Sequence, residues 1–265
     1  MRTKKQILMC RPDHYAVEYE INPWMKVGSV NQEKALQQWE TLRTIYQQLD
    51  AEVILIPQQK HLPDMVFTVD QGVIKNKTVL LSSFRYPERQ GETPLFQEWF
   101  LQHGFQVKTL PKGIYLEGGD CLHWNKHLFL GYGFRSDKAA TEEISNLLDL
   151  PTIPLQLVND RFYHLDASLF ILNDEVAFCY PEAFVAESLQ KLHSTIPHLE
   201  LFSSEQALSF AANTFVIEKS VITSSADQRF HDSIKKLGYS PIKVEMSEYL
   251  KSGGGIHCLS LDLTT

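Results

Sequence analysis

Residues 117–124, Glu117-Gly118-Gly119-Asp120-Cys121-Leu122-His123-Trp124, place an acidic, glycine-bearing turn directly before a short strand-like run. The same pairing of a polar cluster with an apolar run recurs along the chain. Ile7–Cys10 lies beside Arg11-Pro12-Asp13, Met65–Thr68 between Asp64 and Asp70, and Ala167–Leu172 after His164-Leu165-Asp166. Thr214–Ile217 follows Asn213, and Leu259–Leu263 follows His257-Cys258. With Asp64, Glu117, His164, Asn213 and Cys258 as markers, the intervals are 53, 47, 49 and 45 residues. A near-constant period of this length belongs to stacked or radially repeated supersecondary units. Five such units fill the chain, and the first ten residues are expected to close onto the last of them.

Helical patterns lie between the markers. Gln32–Leu49 carries Leu36, Trp39, Leu42, Ile45 and Leu49 near a 3.6-residue period, which predicts an amphipathic helix. Thr93–His103, Ala139–Leu148, Pro181–Leu192 and Ala226–Leu237 read the same way. Strands alternating with helices make this an α/β protein.

Bulk properties narrow the function. The 265 residues carry a net charge of −7 and no Lys/Arg-rich run, so the electrostatic footprint of nucleic-acid binding is missing. No apolar run reaches membrane-spanning length. The stretch Ile7–Cys10, after Met1-Arg2-Thr3-Lys4-Lys5, is too short for a signal peptide. Cys10, Cys121, Cys179 and Cys258 form no CxxC pair, which argues against a structural zinc site. These features lead us to expect a cytoplasmic protein with reduced thiols, no nucleic-acid or membrane partner, and no metal or organic cofactor. Nothing in the sequence decides the oligomeric state; a homo-oligomer stays open.

The segment Gly253-Gly254-Gly255-Ile256-His257-Cys258 sets a thiol after a flexible turn, with an alternating strand expected directly behind it. Glycines permit left-handed backbone and close approach. A small apolar residue ending a core strand would look similar. A ring of repeats would bring Asp64/Asp70, Glu117, His164/Asp166 and Cys258 toward one axis. Cys258 would then be a nucleophile acting as thiolate, His164 would move protons, and Glu117 would hold its ring. Asp70 and Asp166 would remain as two carboxylates needing a counter-charge. A planar cation with forked N–H donors meets that need, so the constellation suggests a guanidinium substrate. His164 could equally be a satisfied core histidine, and Asp64 and Asp166 turn residues. His257 is expected to point to the opposite face if it lies in the strand.

Four motifs carry a resemblance: Asp64-Met65-Val66-Phe67-Thr68-Val69-Asp70, Leu116-Glu117-Gly118-Gly119-Asp120, His164-Leu165-Asp166 and the terminal Gly-Gly-Gly-Ile-His-Cys258. In this order and spacing the chain resembles the guanidine-modifying superfamily of arginine deiminases, dimethylargininases, agmatine deiminases and amidinotransferases. It is most similar to arginine dihydrolase and deiminase-like catalytic domains. The resemblance implies a five-bladed α/β propeller of pseudo-fivefold ββαβ repeats, with residues 1–265 forming a single catalytic domain. It implies that Cys258 is the nucleophile, His164 the general acid/base and Glu117 its partner. Asp70 and Asp166 resemble the guanidinium-binding carboxylates. Arg89 and Arg135 resemble the arginines that hold a substrate α-carboxylate, with Arg85 the weaker candidate. Asn22 resembles a polar contact near the α-amino end. Asp64, directly after Pro63, is expected beside the substrate as a turn residue or a helper of loop geometry.

Two departures refine the expectation. Arginine dihydrolases carry Asn at the place of Asp70, and that Asn is associated with releasing two ammonias. Dimethylargininases usually carry Lys at the place of Asp166, and a methylated nitrogen would leave a buried acceptor unsatisfied at a cost of about 1–3 kcal/mol. The expected reaction is therefore hydrolysis of arginine, or a close analogue, to citrulline and ammonia through a covalent thiouronium. Dimethylargininase, arginine dihydrolase, amidinotransferase and a non-catalytic arginine binder are the alternatives. The chain ends soon after Cys258, so no ornithine-forming extra domain is expected. The Met25–Asn31 loop is a candidate lid on its composition.

Overall fold

A computed structural model describes residues 4–265; Met1 to Thr3, part of both the polar start and the expected 1–265 domain, lie outside it. In chain order the elements are β1 (Gln6–Cys10), α1 (Gln32–Gln48), β2 (Glu52–Ile56), β3 (Gly72–Lys75), β4 (Thr78–Leu81), α2 (Pro87–Gln90), α3 (Glu92–Gln102) and β5 (Gln106–Lys108). They continue with β6 (Cys121–Trp124), β7 (His127–Tyr132), α4 (Ala140–Leu148), β8 (Thr152–Gln156), β9 (Leu169–Ile171), β10 (Val176–Cys179), α5 (Ala186–Thr195) and β11 (His198–Leu201). The last are α6 (Ser204–Leu208), β12 (Phe215–Ile217), β13 (Ser220–Thr223), α7 (Gln228–Lys236), β14 (Ser240–Lys243), α8 (Ser247–Leu250) and β15 (Leu261–Asp262).

These strands form five three-stranded sheets of one plan. In four of them an antiparallel hairpin is followed by a helix and a third strand parallel to the second: β3-β4-β5, β6-β7-β8, β9-β10-β11 and β12-β13-β14. The fifth uses both ends of the chain. β15 pairs antiparallel with β1, and β1 pairs parallel with β2 across α1. The expectation that the first ten residues close onto the last repeat is met by Ile7 opposite Asp262 and Leu8 opposite Leu261.

Local chemistry explains the elements. Three hairpins turn on two residues, and Asn76, Asn125 and Glu218 take left-handed φ of 55°, 51° and 52° there. Asparagine tolerates that region at low cost. The Asn31 side chain caps α1 by accepting from Lys34 N at 3.0 Å, and Asp227 caps α7 by accepting from Phe230 N at 2.8 Å. Helix α1 forms as its period predicts but buries Ala35, Gln38, Trp39, Leu42 and Tyr46; of the periodic residues, Leu36, Ile45 and Leu49 are only partly buried.

The chain divides into two compact units. One comprises residues up to Val69 together with Ser203–Thr264, and so holds the β15-β1-β2 and β12-β13-β14 sheets. The other comprises Asp70–Phe202 with Thr265, and holds the remaining three. In the second unit, Ala140, Ile144 and Leu148 of α4 pack with Leu80, Leu116, Leu128 and Leu130 in one buried cluster.

Three sequence expectations are corrected. Met65–Thr68 is not a strand. Pro63–Val66 and Thr68–Gln71 are single 3₁₀ turns, started by Pro63, and β3 begins only at Gly72. The helix expected over Pro181–Leu192 begins at Ala186, because Pro181–Ala183 closes its own turn and Val185 N bonds to Gln156 O at 3.2 Å. Cys258 is not at the head of a strand. Leu259 N bonds to Gly255 O at 3.3 Å and Ser260 N to His257 O at 3.0 Å, so the thiol sits within a turn and only Leu261 and Asp262 reach β1. Among the described residues, no helix is long and apolar enough to cross a membrane.

Candidate active site

In the Asp70–Phe202 unit the turns that open successive hairpins present Asp70, Glu117 and His164. All three are buried. His164 Nε2 lies 2.8 Å from Glu117 Oε2, and His164 Nδ1 lies 3.5 Å from Asp70 Oδ1. The imidazole is thus flanked by two carboxylates. Burial alone would lower its pKa, but the charge of Asp70 and the hydrogen bond to Glu117 outweigh it and push His164 up to about 9. Burial would raise Glu117, yet the Arg135 guanidinium and His164 hold it well below the usual carboxylate range.

Two arginines complete this network. Arg135 Nη1 donates to Glu117 Oε2 at 2.9 Å, and its guanidinium carbon stands 4.6 Å from the Tyr86 ring centre and 4.5 Å from that of Tyr163. Arg89, in α2, donates from Nη1 to Asp70 Oδ2 at 2.6 Å and packs over Phe84 at 4.5 Å. Both arginines are buried and already engage carboxylates. Arg85 is more exposed; it meets Asp137 at 2.5 Å and stacks over Tyr115 at 4.5 Å.

Backbone approach shapes the cluster. A Cβ at Gly119 would lie 2.6 Å from Asp70 Oδ1 and 2.7 Å from His164 Nδ1. The Glu-Gly-Gly-Asp turn therefore needs glycine at its third position for packing against the two side chains. Glu117 N bonds to Ser136 Oγ at 3.0 Å, and Gly118 N to Ser82 Oγ at 3.1 Å. Asp166 is buried on the Leu165–Ala167 turn, two residues past His164.

In the other unit, Cys258 is 4% exposed. Its N donates to Asn213 Oδ1 at 3.2 Å, and Asn213 Nδ2 donates to its Sγ at 3.0 Å. Its carbonyl accepts from Val69 N at 3.1 Å. His257 is half-buried, with its ring 6.3 Å from that of Phe215. Asp64 is buried and accepts from Tyr19 OH at 2.9 Å. Asn22 makes two bonds: Nδ2 donates to the distant Ser252 O at 3.0 Å, and Oδ1 accepts from Trp24 N at 2.9 Å. The loop expected as a lid is tied down by Lys251 Nζ to Ser29 O at 2.9 Å and Asn31 N to Glu248 Oε2 at 2.8 Å.

Sequence reasoning assigned no role to Glu92, Asp120 or Asn213. Glu92 is fully buried and binds Arg89 through both oxygens. Asp120 accepts from Leu165 N at 3.1 Å, next to His164, and burial pushes it up to about 7. Asn213 stood at a repeat position, which was the available signal.

A thiol held by its turn, and a histidine flanked by carboxylates and guanidiniums, define the chain as a member of the guanidino-modifying amidinotransferase-like superfamily. A family model described as "N,N dimethylarginine dimethylhydrolase, eukaryotic" matches residues 14–265, and the chain belongs to that family. The bifunctional arginine dihydrolase/ornithine cyclodeaminase AgrE of a Nostoc species is 37% identical over 271 residues, covering 100% of this chain and 38% of that protein. The chain thus spans less than two-fifths of that relative. The N(G),N(G)-dimethylarginine dimethylaminohydrolase of Mycobacterium tuberculosis is 35% identical, covering 98% of this chain and 86% of its own. Among solved structures, the substrate-bound N-terminal domain of ArgZ, a cyanobacterial arginine dihydrolase, superposes with a TM-score of 0.96 at 36% identity, covering 98% of both chains.

Proposed function

We propose that this chain hydrolyses a guanidino C–N bond of arginine or a close analogue, giving citrulline and ammonia. The observation that carries the reading is the state of His164. With a pKa near 9, the imidazole is protonated at neutral pH and can give its proton to a departing amine. Asp70 and Asp166 receive the substrate cation and polarise its central carbon. The Cys258 thiolate adds to that carbon, a tetrahedral adduct forms, and ammonia leaves with the proton from His164. The neutral imidazole then takes a proton from water, which attacks the thiouronium and releases citrulline and the thiol.

Arg89 and Arg135 are assigned to the substrate α-carboxylate, Asn22 to the α-amino end and Asp64 to loop geometry beside it. Substituting either arginine should raise KM for arginine selectively. Five three-stranded sheets of one strand arrangement, four of them with the same connectivity, support a five-bladed α/β propeller, with residues 1–265 read as one catalytic domain. The four free cysteines accord with a reduced, cytoplasmic setting. The partner in this reading is the small guanidino molecule, with neither nucleic acid nor membrane, and self-association is left to sizing in solution.

Two alternatives have specific support. The family match and the mycobacterial relative favour a dimethylargininase, against which the carboxylate of Asp166 speaks. The likeness to ArgZ favours an arginine dihydrolase, against which Asp70 speaks. Mass spectrometry of products from arginine and its methylated forms decides. Citrulline with one ammonia supports the proposal, and ornithine or a released methylamine replaces it with an alternative. An amidinated acceptor amine would point to transfer, and binding without any product to a sensor. Full turnover by Cys258→Ala would remove the covalent mechanism altogether.

A further inference from the structure

We propose that Asn213 is the positioning residue of the Cys258 thiol, its carboxamide holding the cysteine by backbone and sulfur at once. The inference rests on the reading of Cys258 as nucleophile and names what prepares it. Asn213 is fully buried, just before β12, where Phe210 takes φ of 58° and its carbonyl accepts from Asn213 N at 3.1 Å. Asn213 Oδ1 accepts from Cys258 N at 3.2 Å. A backbone N–H can only donate, so the oxygen must occupy that place. The amide nitrogen is then directed at Sγ, 3.0 Å away.

The glycine run makes this fit. A Cβ at Gly255 would stand 2.9 Å from Asn213 Oδ1, and one at Gly254 would stand 2.4 Å from the Phe67 ring. Gly253 has φ of +78°. The three glycines let the cysteine loop lie flat on an aromatic ring and a carboxamide. An N–H donor at sulfur stabilises the thiolate more than the thiol, because hydrogen bonds to a charged acceptor are the stronger ones. The same amide fixes the backbone from which the thiolate projects, so the orientation and ionisation of the nucleophile share one cause.

The test is alkylation of Cys258 by iodoacetamide, followed by peptide mapping across a pH series. Asn213→Asp keeps the acceptor for Cys258 N and removes the donor at sulfur. Alkylation at neutral pH is expected to slow about tenfold, with its midpoint moving about one pH unit upward. A lower melting temperature with an unchanged alkylation profile overturns the proposal. If Asn213→Asp does not fold, Asn213→Ala is read by the same criterion. A third measurement needs no variant. The Asn213 side-chain amide resonance of the wild-type protein should move when Cys258 is alkylated, and an unmoved resonance overturns the contact. Turnover of arginine is followed on the same samples. An alkylation shift without turnover of any guanidino compound keeps this inference and sinks the functional reading; turnover without the shift does the reverse.

Discussion

Arg89 and Glu92 meet through two parallel hydrogen bonds, Nε to Oε1 at 3.0 Å and Nη2 to Oε2 at 2.9 Å, across the junction of α2 and α3. The fork takes one edge of the guanidinium and leaves Nη1 aimed at Asp70. Gln71 adds a bond to Glu92 Oε2 at 2.5 Å. Glu92 therefore sets where Arg89 points, and through Arg89 where Asp70 lies beside His164.

Replacing Glu92 by Gln keeps the shape and removes the charge. Arg89 would stay buried with Asp70 as its remaining anion, and losing one partner of a buried pair is costly. A loss of about 1–3 kcal/mol is expected in urea unfolding, with a rise in KM for arginine larger than the fall in kcat. An unchanged unfolding midpoint would show that the fork contributes nothing.

The pH dependence of stability follows from His164. Its folded pKa, about 9, lies above the unfolded value of 6.5. Its contribution is complete below pH 6.5 and is lost as pH rises through about 9. Asp120, held up near 7, acts in the same direction, since its protonated form is favoured in the folded state. Unfolding free energy should fall by about 1–3 kcal/mol between slightly acid and alkaline buffer. His164→Gln should flatten most of that slope; an equal slope in the variant would assign it elsewhere.

Gly119→Ala inserts a methyl within 2.6 Å of Asp70 Oδ1 and 2.7 Å of His164 Nδ1. Both side chains must shift, and a displacement on this scale at a reacting group costs about a hundredfold in rate. Turnover should fall by that order while the rate of Cys258 alkylation stays within twofold of wild type. Near-normal turnover would mean that the His164 position is not critical.

Asp70→Asn brings the residue that arginine dihydrolases carry. Ornithine, with a second ammonia, is expected beside citrulline in the product spectrum. Citrulline alone, at reduced rate, would show that this position does not select the product.

How much of this was legible depended on the range of the forces involved. Strand Cys121–Trp124 and the span of α1 were readable because turn chemistry and periodicity are local. Met65–Thr68 was misread because an apolar run buried in successive turns has the same composition as a core strand. The motif residues Asp70, Glu117 and His164 were assigned from the sequence, and the structure gathers them in one network. Arg89 and Arg135 were assigned to a substrate α-carboxylate, while their ion pairs with Asp70 and Glu117 and their stacking on Phe84, Tyr86 and Tyr163 carried no sequence signal. Glu92 gave no signal, since an acid in a helix's first turn already has a local explanation in the helix dipole. Asn213 was visible only as a beat in the repeat.

The pairing of β15 with β1 has a consequence for the order of events in biosynthesis. Cys258 lies three residues before β15, whose strand partner β1 is made some 250 residues earlier, Ile7 opposite Asp262. The sheet that anchors the glycine loop, begun by β1 and β2, waits for its third strand until residues 57–260 have been made. A nascent chain can arrange Asp70, Glu117 and His164, which share one unit, before Cys258 is made. On the proposed reading of Cys258, a chain stalled before that sheet is zipped shut would carry the acid–base network without the attacking thiol.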